Sequence, residues 1–245
     1  MTKPIVVRWE HHFPAPPEQV WEAITGHCDG WLWKIEYEPR VGGAERGLTA
    51  AGGTVTAWDP PRHFTTRASD QDGFNQLDYR LEPGAGGTYV QFTHNGVLPD
   101  DDYAAQLDCC RQHTEFYRHS LGEYLAHFFG RTPTYVSVDA PEASAKGGMA
   151  RVRQALGLAD DVAVGDRVRF EPAGLTPIEG IVDYVTHAFL GIRNSQALYR
   201  FYGRDAWGWP VGVTHHLFAD GVDKTAEEQA WNAWLTSIFA TQEVA

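Results

Sequence analysis

The organisation of this chain occurs twice, and that repetition limits its folds more than any single motif does. The first half opens with an extended segment, Ile5-Val6-Val7-Arg8-Trp9, followed by a helix-forming stretch up to Ile24, a run of short strands and a long helix. The second half opens with Tyr135-Val136-Ser137-Val138, passes through a helical stretch and a similar strand series, and closes on a helix from Thr225 to Phe239. Near the end of each strand series stands the same pair, Thr93-His94 and Thr214-His215. A repeat of roughly 115 residues is far longer than a solenoid unit and implies duplicated domains. With 245 residues the chain has room for two, each with its own core. The expected boundaries are 1–130 and 134–245, joined by the short linker Gly130-Arg131-Thr132-Pro133.

Local signals give each half its order. Pro14-Ala15-Pro16-Pro17 ends the first strand, expected over Ile5 to His12 with Val6 and Trp9 breaking perfect alternation. Proline in a first helical turn costs nothing, because that N–H has no intrahelical partner. Val20, Trp21 and Ile24 then fall at helix spacing, Gly26 stops the helix, and Trp31 to Trp33 reads as a short helix or turn. Strands are expected at Lys34–Arg40, Gly53–Trp58, His63–Ala68, Asn75–Leu81 and Thr88–His94, separated by turns such as Asp59-Pro60-Pro61, Asp72-Gly73 and Gly84-Ala85-Gly86-Gly87. Such spacing describes an antiparallel meander.

Asp100-Asp101-Asp102 is expected to open the long helix, acidic residues favouring its positive end. Tyr103, Leu107, Cys110, Thr114, Tyr117, Leu121, Tyr124 and Phe128 form one mainly apolar stripe along it. A stripe that long must lie across something broad, and the preceding sheet is the candidate. In the second half a helix is expected at Ala143–Leu158, weakened by Gly147-Gly148. Strands follow at Arg167–Glu171, Gly180–Tyr184, Ala188–Arg193, Ala197–Tyr202 and Trp209–His215.

Composition excludes several function classes. A net charge of −12, divided as −8 before Gly130 and −4 after it, argues against a nucleic-acid backbone or an anionic membrane surface as partner. No apolar run approaches the roughly 20 residues that span a bilayer. The three cysteines, Cys28, Cys109 and Cys110, with no signal peptide, do not describe a disulfide framework and fit a reducing cytoplasm. Nine Trp, ten Tyr and twelve Phe favour a ring-rich core or a broad concave pocket.

The order strand, helices, curled antiparallel sheet, long C-terminal helix is the helix-grip arrangement, so the fold class expected is α+β with two tandem helix-grip domains. The stretches "FPAPPEQVWEAIT", "EPRVGG", "GGTVTAWDPPRHF" and "GGTYVQFTHNG", ahead of a long last helix, resemble the START-like (SRPBCC) superfamily. Within it they are similar to homologues of the activator of the heat-shock-90 chaperone ATPase. The resemblance covers residues 1–129 well, and residues 134–245 in outline as a diverged repeat. It implies a fold and a pocket. It carries no fixed catalytic set, because members include lipid carriers, receptors and cyclases. Where the family often has Gly-Trp in the last helix, this chain has His113-Thr114 in the first half and Ala230-Trp231 in the second. The departure in the first half implies an altered helix-to-sheet contact and a larger cavity.

Residue by residue, His94 is the leading candidate. Strict alternation in Val90-Gln91-Phe92-Thr93-His94 puts Val90, Phe92 and His94 on one face. A histidine on an apolar wall can orient a polar ligand group or exchange a proton near neutral pH. Trp31, Trp33, Tyr37, Trp58, Phe74, Tyr79, Phe92, Tyr117 and Tyr124 are the expected pocket lining, with Tyr79 or Arg80 as further partners for a polar end. The competing reading is that the rings fill the space. His215 repeats the His94 placement beside Val211 and Val213.

Other constellations are weaker. Adjacent histidines on a strand point to opposite faces, so neither His11-His12 nor His215-His216 chelates as a unit, and no metal or cofactor is expected. Cys110 lies on the helix stripe and Cys109 off it, with His113 one turn away, a pair that reads better as a small buried thiol than as a nucleophile. Glu36 and Glu38 flank Tyr37 and are expected in solvent.

The expected function is binding of an apolar or aromatic small molecule between sheet and helix. The alternatives are an enzyme of cyclase, dehydratase or hydrolase type using the same pocket, and a chaperone co-factor. The readings leave a homodimer open.

Overall fold

The computed structural model describes residues 2–69 and 73–240, and its contacts divide the chain after Thr132 into two compact units. Each unit carries an antiparallel sheet of its own. No helix among the described residues is long and apolar enough to cross a membrane.

The first unit runs β1 (Thr2–Phe13), α1 (Pro17–Thr25), a 3-10 turn (Cys28–Gly30), β2 (Glu36–Tyr37), β3 (Ala44–Arg46), β4 (Gly53–Asp59), β5 (His63–Ser69), β6 (Phe74–Gly84), β7 (Gly87–Pro99) and α2 (Tyr103–His127). Its sheet order is β1-β7-β6-β5-β4-β3-β2. A meander from β2 to β7 is therefore closed by the first strand, which pairs with the last from Thr2↔Pro99 to Phe13↔Thr88. The helix α2 then crosses back over β1 and β7 and touches α1. This is the helix-grip layout.

Alternation governs β1 more strictly than the sequence reading allowed. Ile5, Val7, Trp9, His11 and Phe13 share the inward face, while Val6 is exposed. Trp9 is therefore in phase. The expected strand Lys34–Arg40 shrinks to two residues, and β3 was not foreseen, because Arg40 turns back on Glu38 through backbone hydrogen bonds and Gly43 is hemmed by Glu38 and Arg40. A short 3-10 helix falls at Cys28–Gly30, and of the expected helix or turn at Trp31–Trp33 the chain has a turn at Trp31 and a bend at Leu32. Asp72 of the expected Asp72-Gly73 turn lies outside the described residues.

The start of α2 also differs from expectation. Asp102 adopts a left-handed backbone (φ 56°), caps nothing, and the first turn holds no acidic residue. The helix is anchored instead by the Tyr103 hydroxyl, which donates to the Pro4 carbonyl at 2.7 Å, and by an ion pair between Lys3 and Asp100.

Close packing near the other end of α2 explains one glycine. A Cβ on Gly30 would stand 2.4 Å from the ring of Tyr124, which is fully buried. We expect Gly30→Ala to cost about 1–3 kcal/mol through overpacking. A lower urea midpoint at unchanged slope would show it, and an unchanged midpoint would refute it.

The second unit runs β8 (Thr134–Asp139), a 3-10 turn (Glu142–Ala145), α3 (Gly148–Ala155), β9 (Arg167–Phe170), β10 (Ile178–Val185), β11 (Phe189–Arg193), β12 (Ala197–Tyr202), a 3-10 turn (Arg204–Trp207), β13 (Gly212–Leu217) and α4 (Lys224–Phe239). The order β8-β13-β12-β11-β10-β9 repeats the first unit's plan with one strand fewer. Its first strand again pairs with its last, and α4 packs against β8. The tandem α+β arrangement read from the sequence is what the chain has. The helix expected over Ala143–Leu158 is broken at Gly147, which takes φ +66°. Asp223 caps α4 by accepting from the Ala226 N–H at 3.1 Å.

The second unit has a cluster of buried side chains around Trp231. Trp231 is fully buried, with ring centroids 4.2 Å from His215, 6.0 Å from Phe201 and 6.4 Å from Tyr199. Val136, Val182, Leu190, Ile192 and Leu235 complete the same cluster.

Candidate functional site

The first unit has a cavity of about 190 Å³ between its sheet and α2. An apolar cavity of about 150 Å³ can admit benzene, whereas clefts for drug-sized ligands run to roughly 300–1,000 Å³. The space therefore suits one aromatic ring with small substituents.

Three walls are fixed by separate parts of the sequence. The sheet wall follows from alternation: Trp9 on β1, Phe92 and His94 on β7, and Asn75, Leu77 and Tyr79 on β6 all point inward. Trp9 stacks on Phe92 at 5.2 Å, and Tyr79 leans on Phe92 at 4.7 Å. The helix wall is Cys110, Thr114 and Tyr117 from the predicted stripe, with His113 and Arg118 beside them. The third wall is Trp31, Leu32 and Trp33 after the 3-10 turn, with Leu48.

Hydrogen bonds hold the third wall. The Trp31 indole donates to the Ala23 carbonyl at 2.9 Å, and the Trp33 indole to the Gly47 carbonyl at 2.7 Å. Trp33 meets Tyr117 edge-on at 5.8 Å. The loop bearing Leu48 is tied by Glu45, a carboxylate only 1% exposed that accepts the Leu48 N–H at 2.8 Å. Burial raises the Glu45 pKa. Bonds within the protein thus fix these rings, the condition that lowers the ordering cost of binding.

The polar groups on the walls are few. Burial lowers the His94 pKa below its ordinary value, so its imidazole is neutral at pH 7. Burial also pushes the Cys110 thiol up, away from thiolate. Arg118 is already engaged: its Nε donates to Glu115 Oε2 at 3.0 Å, its Nη2 meets Glu115 Oε1, and its Nη1 donates to His11 Nδ1 at 2.8 Å. Burial first, and then the Arg118 charge, lowers the His11 pKa, consistent with a neutral ring accepting at Nδ1.

The expected lining divides. Trp31, Trp33, Tyr79, Phe92, His94 and Tyr117 line the cavity. Tyr37, Trp58, Phe74 and Tyr124 do not. Tyr37 is directed at Cys28 and packs on Phe64 at 4.7 Å, and Trp58 meets Trp21 of α1 at 5.0 Å. Phe74 is out of phase with Asn75 and Leu77; it carries the Arg67 guanidinium over its ring at 3.9 Å and borders a separate recess of about 360 Å³. Tyr124 is fully buried and packs against Gly30. Arg80 is exposed and pairs with Asp78 at 3.3 Å, so it cannot fix a ligand in the cavity.

The cysteine assignment changes as well. Cys109 is buried, with its Sγ 3.3 Å from His113 Nδ1, while Cys110 is the one that lines the cavity. His113 Nδ1 therefore meets Cys109 at four residues' spacing, and His113 lines the cavity together with Cys110.

Sequence reasoning missed Trp9, Leu32, Leu48, Asn75, Leu77 and Arg118. Strict alternation would have found Trp9, Asn75 and Leu77, since they share phase with Ile5 and Tyr79. Nothing in the sequence signals Leu48, which a loop delivers. No group of three or more potential metal ligands occurs among the described residues.

A curved sheet gripping a long helix over a partly hollow interior defines a helix-grip fold in the first unit. Residues 14–126 match the family model described as activator of Hsp90 ATPase homolog 1-like protein, which bears out the resemblance read from residues 1–129. No curated protein matches the chain. Similar solved structures include a Mesorhizobium loti protein at 23% identity, covering 51% of this chain and 98% of its own, with a TM-score of 0.42. A Bacillus halodurans protein follows at 20% identity, covering 51% and 99%, with a TM-score of 0.43. The Aha1 dimer of Colwellia psychrerythraea is 20% identical, covering 49% and 96%, with a TM-score of 0.40.

Proposed function

We propose that the first unit binds a small aromatic molecule between its sheet and α2, without chemistry of its own, and that the second unit is a packed structural repeat. The observation that carries this reading is the contrast at one helix position. Trp231 is fully buried in the cluster of the second unit, whereas Thr114, which the sequence repeat sets against it, lines the cavity of the first beneath rings held by hydrogen bonds. Non-catalytic binding is favoured because the thiol is held protonated, the one guanidinium on the wall is paired, and no nucleophile–base–orienter set faces the cavity among the described residues.

The test is Thr114→Trp. Its indole would occupy the cavity, and affinity for small aromatics, read by tryptophan fluorescence and native mass spectrometry, is expected to fall at least ~100-fold. A variant that folds and still binds as the parent does would sink the reading. The family description supports a second reading, a co-factor of a chaperone ATPase. Stimulation of that ATPase by the Thr114→Trp protein as well as by the parent would favour it.

A further inference from the structure

We propose that the free edge of β1 is a strand-addition site for an extended acidic peptide, which pairs with residues 6–9 while Arg8 and Arg111 receive its carboxylates. The site is separate from the small-molecule role of the cavity.

β1 is an edge strand of its sheet, paired with β7 on one side. Such an edge presents a row of N–H and C=O groups outside the ladder. Pro4 fixes the phase of that row. It lacks the N–H a ladder needs, and its carbonyl accepts the Tyr103 hydroxyl of α2 at 2.7 Å, so its backbone faces the free side. With a period of two, Val6 and Arg8 turn their N–H and C=O groups the same way. Val6 is 45% exposed and Arg8 is exposed, so this stretch is open to solvent.

A recess of about 380 Å³ runs beside it, lined by residues 6–9 of β1 and by Arg111, Thr114 and Glu115 of α2. Spacings of three and four put those helix residues on one face. That face looks toward β1, because Arg118 joins Glu115 to His11. The Tyr103 bond to Pro4 bounds the stretch at one end and the Arg118 bond to His11 at the other.

Charge selects the occupant. Arg8 and Arg111 are exposed and in no ion pair among the described residues. The carboxylates that periodicity sets near them are engaged: Glu10 by the Tyr89 hydroxyl, Asp108 by the Gln112 amide and Glu115 by Arg118. Alternation directs Arg8 to the outer face of the sheet, while Arg111 stands on the helix side. Successive side chains of an added strand point to those two faces in turn, so two adjacent acidic residues meet both arginines. A second copy of the chain fits worse. Twofold pairing centred on residues 6–9 would bring each arginine toward its own duplicate, and like charges across a strand pair destabilise it.

The test compares two blocked hexapeptides, acetyl-Thr-Val-Asp-Glu-Val-Thr-amide and its Asn-Gln counterpart. Each is titrated into the full chain at low salt and followed by amide chemical shifts and hydrogen exchange. The acidic peptide is expected to bind about three- to tenfold more tightly, with the preference fading at high salt, and to slow exchange at the Val6 and Arg8 amides. Arg111→Gln is expected to lower affinity for the acidic peptide about threefold and to leave the neutral one as it was. N-methylation of alternate peptide amides, made in both phases, is expected to abolish binding in one phase and spare it in the other. Equal affinity for the acidic and neutral peptides would overturn the acidic partner. Unchanged exchange at Val6 and Arg8, or equal binding of both methylated phases, would overturn strand addition. Exchange at those amides that slows as the chain is concentrated without peptide would make the occupant a second copy and overturn the proposal. The peptide comparison on the unaltered chain decides even if Arg111→Gln fails to fold, and its failure leaves the cavity's role standing.

Discussion

Trp231→Ala is expected to cost about 3–5 kcal/mol and to give the second unit a hollow of the kind the first already has. The residue is fully buried between α4 and the sheet, and its ring meets His215, Phe201, Tyr199 and Trp234 within 6.5 Å. Removing it deletes the largest side chain of that cluster and leaves a space the surrounding strands cannot close. Urea denaturation of the full chain followed by far-ultraviolet circular dichroism would show the loss as a lower midpoint of the transition belonging to the second unit. Indole added back should restore part of it by mass action, since it would bind only the folded variant. A loss below about 1 kcal/mol, or no response to indole, would mean that the ring does not hold helix to sheet.

That experiment is the mirror of Thr114→Trp in the first unit. One substitution empties a filled grip, and the other fills a hollow one. If both behave as expected, the difference between the units is a property of one helix position on a shared plan, and the binding role belongs to the unit that lacks the ring.

What could be read from sequence depended on whether periodicity or turns controlled the element. The tandem plan, the meander order and the closing helices came from punctuation and spacing, and Tyr79, Phe92, His94 and Tyr117, in phase with a strand or the helix stripe, came with them. Phe74 was misplaced because Asn75 and Leu77 share the phase of Tyr79 along β6 and Phe74 does not, which strict alternation from Tyr79 already implies. Tyr37 and Trp58 face the interior but stand beyond the cavity, a distinction set by tertiary packing on Cys28 and Trp21. Leu48 arrives on a loop tied by a buried glutamate, and no period describes a loop.

His215 makes the stability of the second unit depend on acid. Its pKa is pushed down to about 3, first by burial and then by His216, with Arg200 acting in the same direction. Its Nδ1 accepts the Arg200 backbone N–H at 3.1 Å, which fixes the neutral ring as the form the fold requires. In the unfolded chain the same imidazole titrates near 6.5. Above that value both states are neutral there and the residue gives stability no pH dependence. Between roughly pH 6.5 and 3 the unfolded state binds the extra proton, so stability falls as pH falls. The loss attributable to His215 is about 2 kcal/mol at pH 5 and approaches 4–5 kcal/mol near pH 3. His215→Gln keeps an acceptor for the Arg200 N–H and removes the titrating group. Denaturant midpoints measured at pH 7.5 and 5.0 should therefore diverge less in the variant than in the parent, by about that 2 kcal/mol. Parallel pH dependence in the two proteins would show that protonation of another group drives the acid loss, and would remove His215 as its cause.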